Sequence, residues 1–186
     1  MNGYDIHNEV RIEPWTRDYL EAFEHEKRAI DESLSAYRLK AAVYHVGGTS
    51  IPGLSGKEII DILVCPGSAF VPEDLVPALE SIGYTNLGEC CRPGRLFMVK
   101  GDKPLETFYL HLCGEDNQVA RDQLLFKAIL EGNAQIRQRY SYAKHLLEDL
   151  FPEDRNMYRE LKGLFVEGVL GGYRFALEET GWKNKP

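Results

Sequence analysis

The sequence predicts an α/β protein: a mixed β-sheet of about five strands with helices, followed by a helical C-terminal half packed on it. Three observations carry this. Two short, β-branched apolar runs, at 41–46 and 58–65, end at Gly47-Gly48 and at Pro66-Gly67 and read as buried strands. A loop of small residues joins them. Further strand-like segments continue as far as Cys113, and from Gln118 onward only helical patterns follow.

An apolar segment at 10–12 comes first, and Pro14 stands just ahead of Thr16, the N-cap expected for a long charged helix over 17–37. In that helix Tyr19, Leu20, Phe23, Ala29, Ile30, Leu34 and Tyr37 recur with helical spacing and can bury one stripe. After the two strands, 72–82 reads as a helix closed by Gly83, and strands are expected at 84–87, 95–100 and 107–113. The helical half comprises 119–131, 134–150 and 155–179, with Phe151-Pro152 separating the last two. Gly163, Gly168 and Gly171-Gly172 predict a kink in the final helix, and 181–186 reads as a frayed tail. The expected division is an α/β core over 1–116 and a helical region over 117–186. With no glycine-rich linker between them, they should form one compact unit.

A chain of 186 residues can bury enough apolar surface to fold without staples. No apolar run is long enough to cross a bilayer, and residues 1–11 are polar and acidic, unlike a signal peptide, so a cytoplasmic location is expected. Cys65, Cys90, Cys91 and Cys113 form no Cys-x-x-Cys pair, which argues against a zinc finger or redox site and favours small core residues, with oxidation or soft-metal binding at the adjacent Cys90-Cys91 pair as the alternative. The formal charge of −7 opposes general nucleic-acid binding, which depends on neutralising phosphates, and favours a small substrate.

The loop between the first two strands is the candidate site. It begins His45-Val46-Gly47-Gly48-Thr49-Ser50 and runs through Lys57 to Asp61. Small residues let a backbone approach a phosphate closely, and the amides with the Thr49 and Ser50 hydroxyls supply donors. Asp61 stands on the following strand among Ile59, Ile60, Ile62 and Leu63, where a carboxylate is costly unless it faces a cleft, a metal or a partner.

The stretch 45–64, with its His-Val-Gly-x-Thr-Ser-x-Pro-Gly-Leu segment followed by Ile-Ile-Asp-Ile, resembles the GrpB-like family of the nucleotidyltransferase superfamily. Weaker echoes extend over most of the chain: Trp15, His111, Phe126-Lys127, Tyr140 with Lys144, and Tyr158 with Lys162. The resemblance implies a nucleotidyltransferase-like fold, a loop gripping a nucleotide phosphate, and strand carboxylates holding Mg²⁺ to align an acceptor hydroxyl. The chain departs from that pattern in carrying Gly48 for the usual Ser and Glu58 for the usual Pro. It also carries Leu63 where Asp-x-Asp would place the second carboxylate. His111 stands where the superfamily often has its third acid, so Asp61 and His111, with or without His45, form a candidate set for Mg²⁺ or another divalent metal. The alternative for both histidines is a hydrogen-bonded core role.

An internal echo needs no family: Arg137, Tyr140 and Lys144 match Arg155, Tyr158 and Lys162 in spacing, and each set falls on one helical face. Two helices can then present cations for phosphates and a ring for stacking across from 47–50. The alternative is that the tyrosines are core rings and the cations are solvated. Lys57 is a further candidate phosphate contact.

Three functions follow as expectations. The first is Mg²⁺-dependent nucleotidyl transfer on a nucleotide or other phosphorylated small molecule. The second is a non-catalytic nucleotide- or coenzyme-binding accessory module, since the family also occurs fused to dephospho-coenzyme A kinase. In the third, the loop is structural and the helices form an oligomer surface.

Overall fold

The computed structural model describes residues 9–90, 92–101 and 107–180. The expected tail at 181–186 and one member of the Cys90-Cys91 pair, Cys91, lie outside the described residues.

Helix α1 (Asp18–Ala36) begins two residues after Thr16, whose hydroxyl accepts the Asp18 N–H at 3.2 Å. Strands β1 (Ala41–Val46) and β2 (Ile60–Pro66) follow, then helix α2 (Pro72–Ser81) and strands β3 (Thr85–Asn86), β4 (Leu96–Lys100) and β5 (Phe108–Leu112). Asp74 accepts the Val71 N–H at 2.9 Å where α2 starts, and Gly83, at φ +96°, closes its far end. The sheet order is β1-β2-β5-β4-β3. Strands β2 and β5 are parallel and every other neighbouring pair is antiparallel.

Strand periodicity sorts the side chains onto two faces. Ile60, Ile62, Val64, Phe108, Leu110 and Leu112 pack against Tyr19, Phe23, Ile30 and Leu34 of α1 and Leu75, Ala78 and Leu79 of α2. The opposite face carries Val46, Leu63, Cys65 and Cys113, which meet Ala120 of helix α3 (Gln118–Gly132). Burial pushes the Cys65 thiol up to about 12, with Cys113 and Glu115 adding to it, so this is an inert core thiol. Asp61 belongs to the second face, where the helical half sits.

Asn117 caps α3 and Asn133 caps helix α4 (Ala134–Leu150) through side-chain oxygens that accept the Val119 and Ile136 amides. Helix α5 (Arg155–Thr180) runs as one helix through Gly163, Gly168, Gly171 and Gly172, where the sequence predicts a kink. Glycine weakens a helix by about 1 kcal/mol per residue but, unlike proline, removes no backbone donor. Tyr158 and Leu170 are its buried anchors.

The N-terminal segment ties the two halves together. Val10 and Ile12 pack on Tyr158, the Val10 amide donates to Pro152 O, and Glu13 and Gly56 exchange backbone hydrogen bonds of 2.9 Å in both directions. No helix among the described residues is long and apolar enough to cross a membrane.

Candidate functional site

The glycine loop folds over Asp61. Val46 at the end of β1 pairs with Asp61 on β2, and the next residue, Gly47, adopts φ 72° and ψ −171°, a combination open essentially to glycine alone. A Cβ at Gly47 would fall 2.3 Å from Asp61 Oδ2, so the carboxylate lies directly against this peptide. Gly48–Ser50 then forms a short 3₁₀ turn. The Ser50 hydroxyl donates to Gly47 O at 2.7 Å and the Thr49 hydroxyl to Ile59 O at 3.2 Å, and both residues are buried. Their hydroxyl protons therefore close the loop on itself. Its outward edge is Gly47, which is exposed, with Gly48 partly so.

His45 braces this loop from behind. It pairs with Ile62, which puts it on the α1 face, where its ring stacks on Phe23 at 4.5 Å and 13°. The structure thus keeps His45 on the opposite side of the sheet from Asp61 and His111, and the three do not form one ligand set. Because the single proton of Thr49 goes to Ile59 O, the 3.1 Å contact from His45 Nε2 to Thr49 Oγ1 has the ring as donor. Nε2 therefore carries a proton. Burial first, and the Lys127 charge second, lower its pKa to about 4, while Asp61 pulls the other way.

This has a sign that can be checked. The unfolded chain binds a proton at His45 below about 6.5, whereas the folded chain resists it until about 4, so folding stability falls as pH drops through that window. Urea titrations between pH 7 and pH 4 are expected to show a loss of about 3 kcal/mol attributable to this group. His45→Gln should flatten the difference, and a parallel profile in the two proteins would refute the assignment.

Two backbone contacts complete the brace. Lys127 Nζ donates to His45 O at 3.0 Å and Trp15 Nε1 to Thr49 O at 3.0 Å. Both residues entered the sequence reading only as family echoes; nothing in periodicity or composition points to these roles.

On the Asp61 side, His111 of β5 pairs with Leu63, one row along the shared face, and its Nε2 lies 4.0 Å from Asp61 Oδ1. Phe97 of β4 flanks His111 at 5.4 Å and Tyr109 at 5.3 Å. Leu63 itself is fully buried.

The two Arg-Tyr-Lys sets converge on this region, though not residue for residue. Lys144 is only 3% exposed; its ammonium donates to Ser55 O, lies 4.9 Å from the Tyr140 ring centre, and is roofed by glycine backbone. Cβ atoms added at Gly48 or Gly56 would lie 3.5 and 3.7 Å from its Nζ. Lys162 and Lys57 both address the Tyr158 ring, at 5.7 and 5.8 Å. Arg155 donates to the Tyr109 hydroxyl at 3.0 Å. Arg137 instead turns to the end of α3, where it donates to Leu130 O at 2.8 Å. Tyr140 and Tyr158 are buried, which raises both phenols, so the rings act as core and as platforms for the lysines. Burial lowers Lys144 to about 7, helped by Lys162, and lowers Lys162, which Asp61 partly restores against Arg155 and Arg159.

A hollow of about 360 Å³ lies elsewhere, between Ile136 and the α5 residues Gly168, Val169, Gly172, Tyr173 and Ala176.

The family model described as GrpB protein matches residues 9–171, nearly the whole described chain. The chain belongs to the GrpB family. It is 33% identical over 165 residues to UPF0157 protein PA4798 of Pseudomonas aeruginosa, covering 87% of this chain and 66% of that protein. It is 27% identical to UPF0157 protein YqkA of Bacillus subtilis, covering 85% of this chain and 45% of that protein. The chain therefore spans about two thirds and about half the length of these two relatives. The crystal structure of conserved protein GrpB from Enterococcus faecalis superposes with a TM-score of 0.69 at 26% identity, over 86% of this chain and 99% of that one. The GrpB fold is nucleotidyltransferase-like, and the mixed five-stranded sheet with its flanking helices conforms to it.

The Mg²⁺ that the superfamily implies can be tested against the donors of this GrpB chain. Among the described residues no three His, Cys, Asp or Glu side chains gather to hold a metal. Asp61 and His111 share a face, Leu63 occupies the second carboxylate position, His45 is across the sheet, and Lys162 contributes positive charge at Asp61. A resident two-metal centre does not fit that donor set.

Proposed function

We propose that this GrpB chain is a non-catalytic binding module for a phosphorylated small molecule, with a nucleotide or nucleotide-bearing coenzyme as first candidate. The observation that carries the reading is Lys144, buried with its ammonium against the Gly48 and Gly56 backbone of the loop whose neighbour Gly47 covers the strand carboxylate Asp61. Lys144 is buried there under glycine backbone, and a buried ammonium is costly unless an anion offsets it. The phosphate would meet the outward Gly47 and Gly48 backbone, with the Lys162 and Arg155 side chains beside it.

Thermal melting with ATP and with dephospho-coenzyme A tests this. Either ligand at about 100 times its Kd should add about 2.7 kcal/mol of stability. That corresponds to a rise of roughly 5 to 10 °C for a domain of this size. Absence of any shift with both ligands and with inorganic tripolyphosphate would remove the reading. Asp61 against Gly47 favours the second reading, nucleotidyl transfer; mass-spectrometric detection of a nucleotidylated product would install it in place of the first.

A further inference from the structure

Helix α5 carries two apolar stripes, and the rest of the described chain covers one of them. Tyr158 and Leu170 are buried against the body, and Phe165 and Val166 pack with Leu130 and Tyr140. On the other side Leu164, Gly168, Gly171 and Phe175 recur at alternating steps of four and three, the seam of a helix that meets another helix. Leu164 is 59% exposed and Phe175 65%. Between them the seam drops to bare backbone: a Cβ added at Gly168, Gly171 or Gly172 would meet nothing within 4 Å. Gly168 and Gly172 also line the hollow beside Ile136. One exposed leucine is ordinary on a protein surface, but a large apolar side chain at each end of a recessed strip is a shape made for contact.

We infer that this seam joins two copies of the chain, with their α5 helices antiparallel about a two-fold axis. Such a contact sets one patch against itself, so the patch must be its own complement. With the axis midway between Gly168 and Gly171, Phe175 of each copy meets Leu164 of the other, and the glycine steps give the rings room to bury. The flanking charges agree with that register. Glu167 of one copy then lies across from Arg174 of the other, twice by symmetry. Arg174 reaches Asp122 on α3 yet keeps 41% of its side chain exposed, so a second carboxylate can approach it. A parallel pairing would also give Arg174 an acid, Glu179. It would however gather Glu178 and Glu179 of both copies at one end and set Phe175 on Phe175 beside unfilled glycines. Projection and recess, acid and base, all lie on one strip, which is why the occupant is a second copy rather than an unrelated protein.

The experiment is sedimentation equilibrium of the full chain between about 1 and 200 µM, the range in which a contact of this size associates. The mass is expected to rise with concentration from one chain to two. Phe175→Glu should raise the dimer Kd about a hundredfold or more, because symmetry removes two rings at once. Leu164→Glu, at the other end of the seam, should act in the same direction. Both positions are exposed in the single chain, so circular dichroism should show the helix content of the parent. Glu167→Arg should weaken the dimer about threefold or more by facing Arg174. A monomer throughout the range would overturn the inference and leave the seam to another partner. A dimer that Phe175→Glu and Leu164→Glu leave intact would place the contact on a different face and overturn it equally. A dimer that both of these variants break while Glu167→Arg has no effect would overturn the antiparallel register.

Discussion

Gly47→Ala is expected to destabilise the protein by about 3 kcal/mol or more, the largest effect predicted for any single methyl group in the chain. Two independent penalties add. The backbone at φ 72° and ψ −171° is one that side-chain-bearing residues avoid, worth about 1–3 kcal/mol wherever it is imposed. The new Cβ would also sit 2.3 Å from Asp61 Oδ2 and 2.9 Å from Asp61 Cβ, an overlap that neither a rotamer change nor a small shift of the carboxylate relieves completely. The penalties separate in a double-mutant cycle. In an Asp61→Gly background the steric part disappears and only the backbone part remains, so the two sites should couple by more than about 1 kcal/mol. Chemical denaturation of the four proteins measures it. Additive effects would mean that Asp61 does not lie against Gly47, and the description of the site would fall with that contact.

Lys144→Met is expected to act in the opposite direction on stability. The ammonium of Lys144 is almost fully buried, with a folded-state pKa near 7 against 10.5 for an ordinary lysine. Below pH 7 both folded and unfolded chains are protonated there, and the folded state carries the whole cost of a buried charge, at most about 5 kcal/mol. Between pH 7 and 10.5 the unfolded chain binds the extra proton, so stability rises with pH across that window. Methionine keeps the volume and removes the charge, at the expense of leaving Ser55 O without its donor, which costs about 1–3 kcal/mol. The variant should therefore be more stable than the parent at pH 6 by about 1–3 kcal/mol, with the gap narrowing or reversing toward pH 10. It should also bind ATP about tenfold more weakly, because the charge beneath Gly48 is gone. A destabilised variant at pH 6 would show that the hydrogen bond to Ser55 outweighs the charge.

The expected elements correspond closely to those observed, because each depends on local pattern. The run 41–46 and the helix 134–150 are β1 and α4 to the residue, since Gly47-Gly48 and Phe151-Pro152 punctuate them and Asn133 caps the helix. The final helix is continuous from Arg155 to Thr180 across its four glycines, because glycine, unlike proline, keeps the backbone donor. At the site, Asp61 against the glycine loop was legible from two strands flanking small residues. The burial of Thr49 and Ser50 was not, since a hydroxyl that closes its own loop and one that greets a phosphate look identical in sequence. Arg137 and Arg155 repeat the same spacing yet meet different partners, the end of α3 and the Tyr109 hydroxyl, because spacing defines a helical face but not what the face meets.

From sequence alone come the order of strands and helices, the family, and the set of residues able to meet an anion. These follow from short-range rules: side-chain period, glycine and proline punctuation, and a motif contiguous in the chain. Only the tertiary structure decided that His45 lies across the sheet from Asp61, that Lys144 is buried beneath Gly48, and that Lys57 and Lys162 share one ring. Those facts depend on strand register and helix docking, which bring together atoms roughly a hundred residues apart, and the energy of a charge is governed by its neighbours and its burial in space.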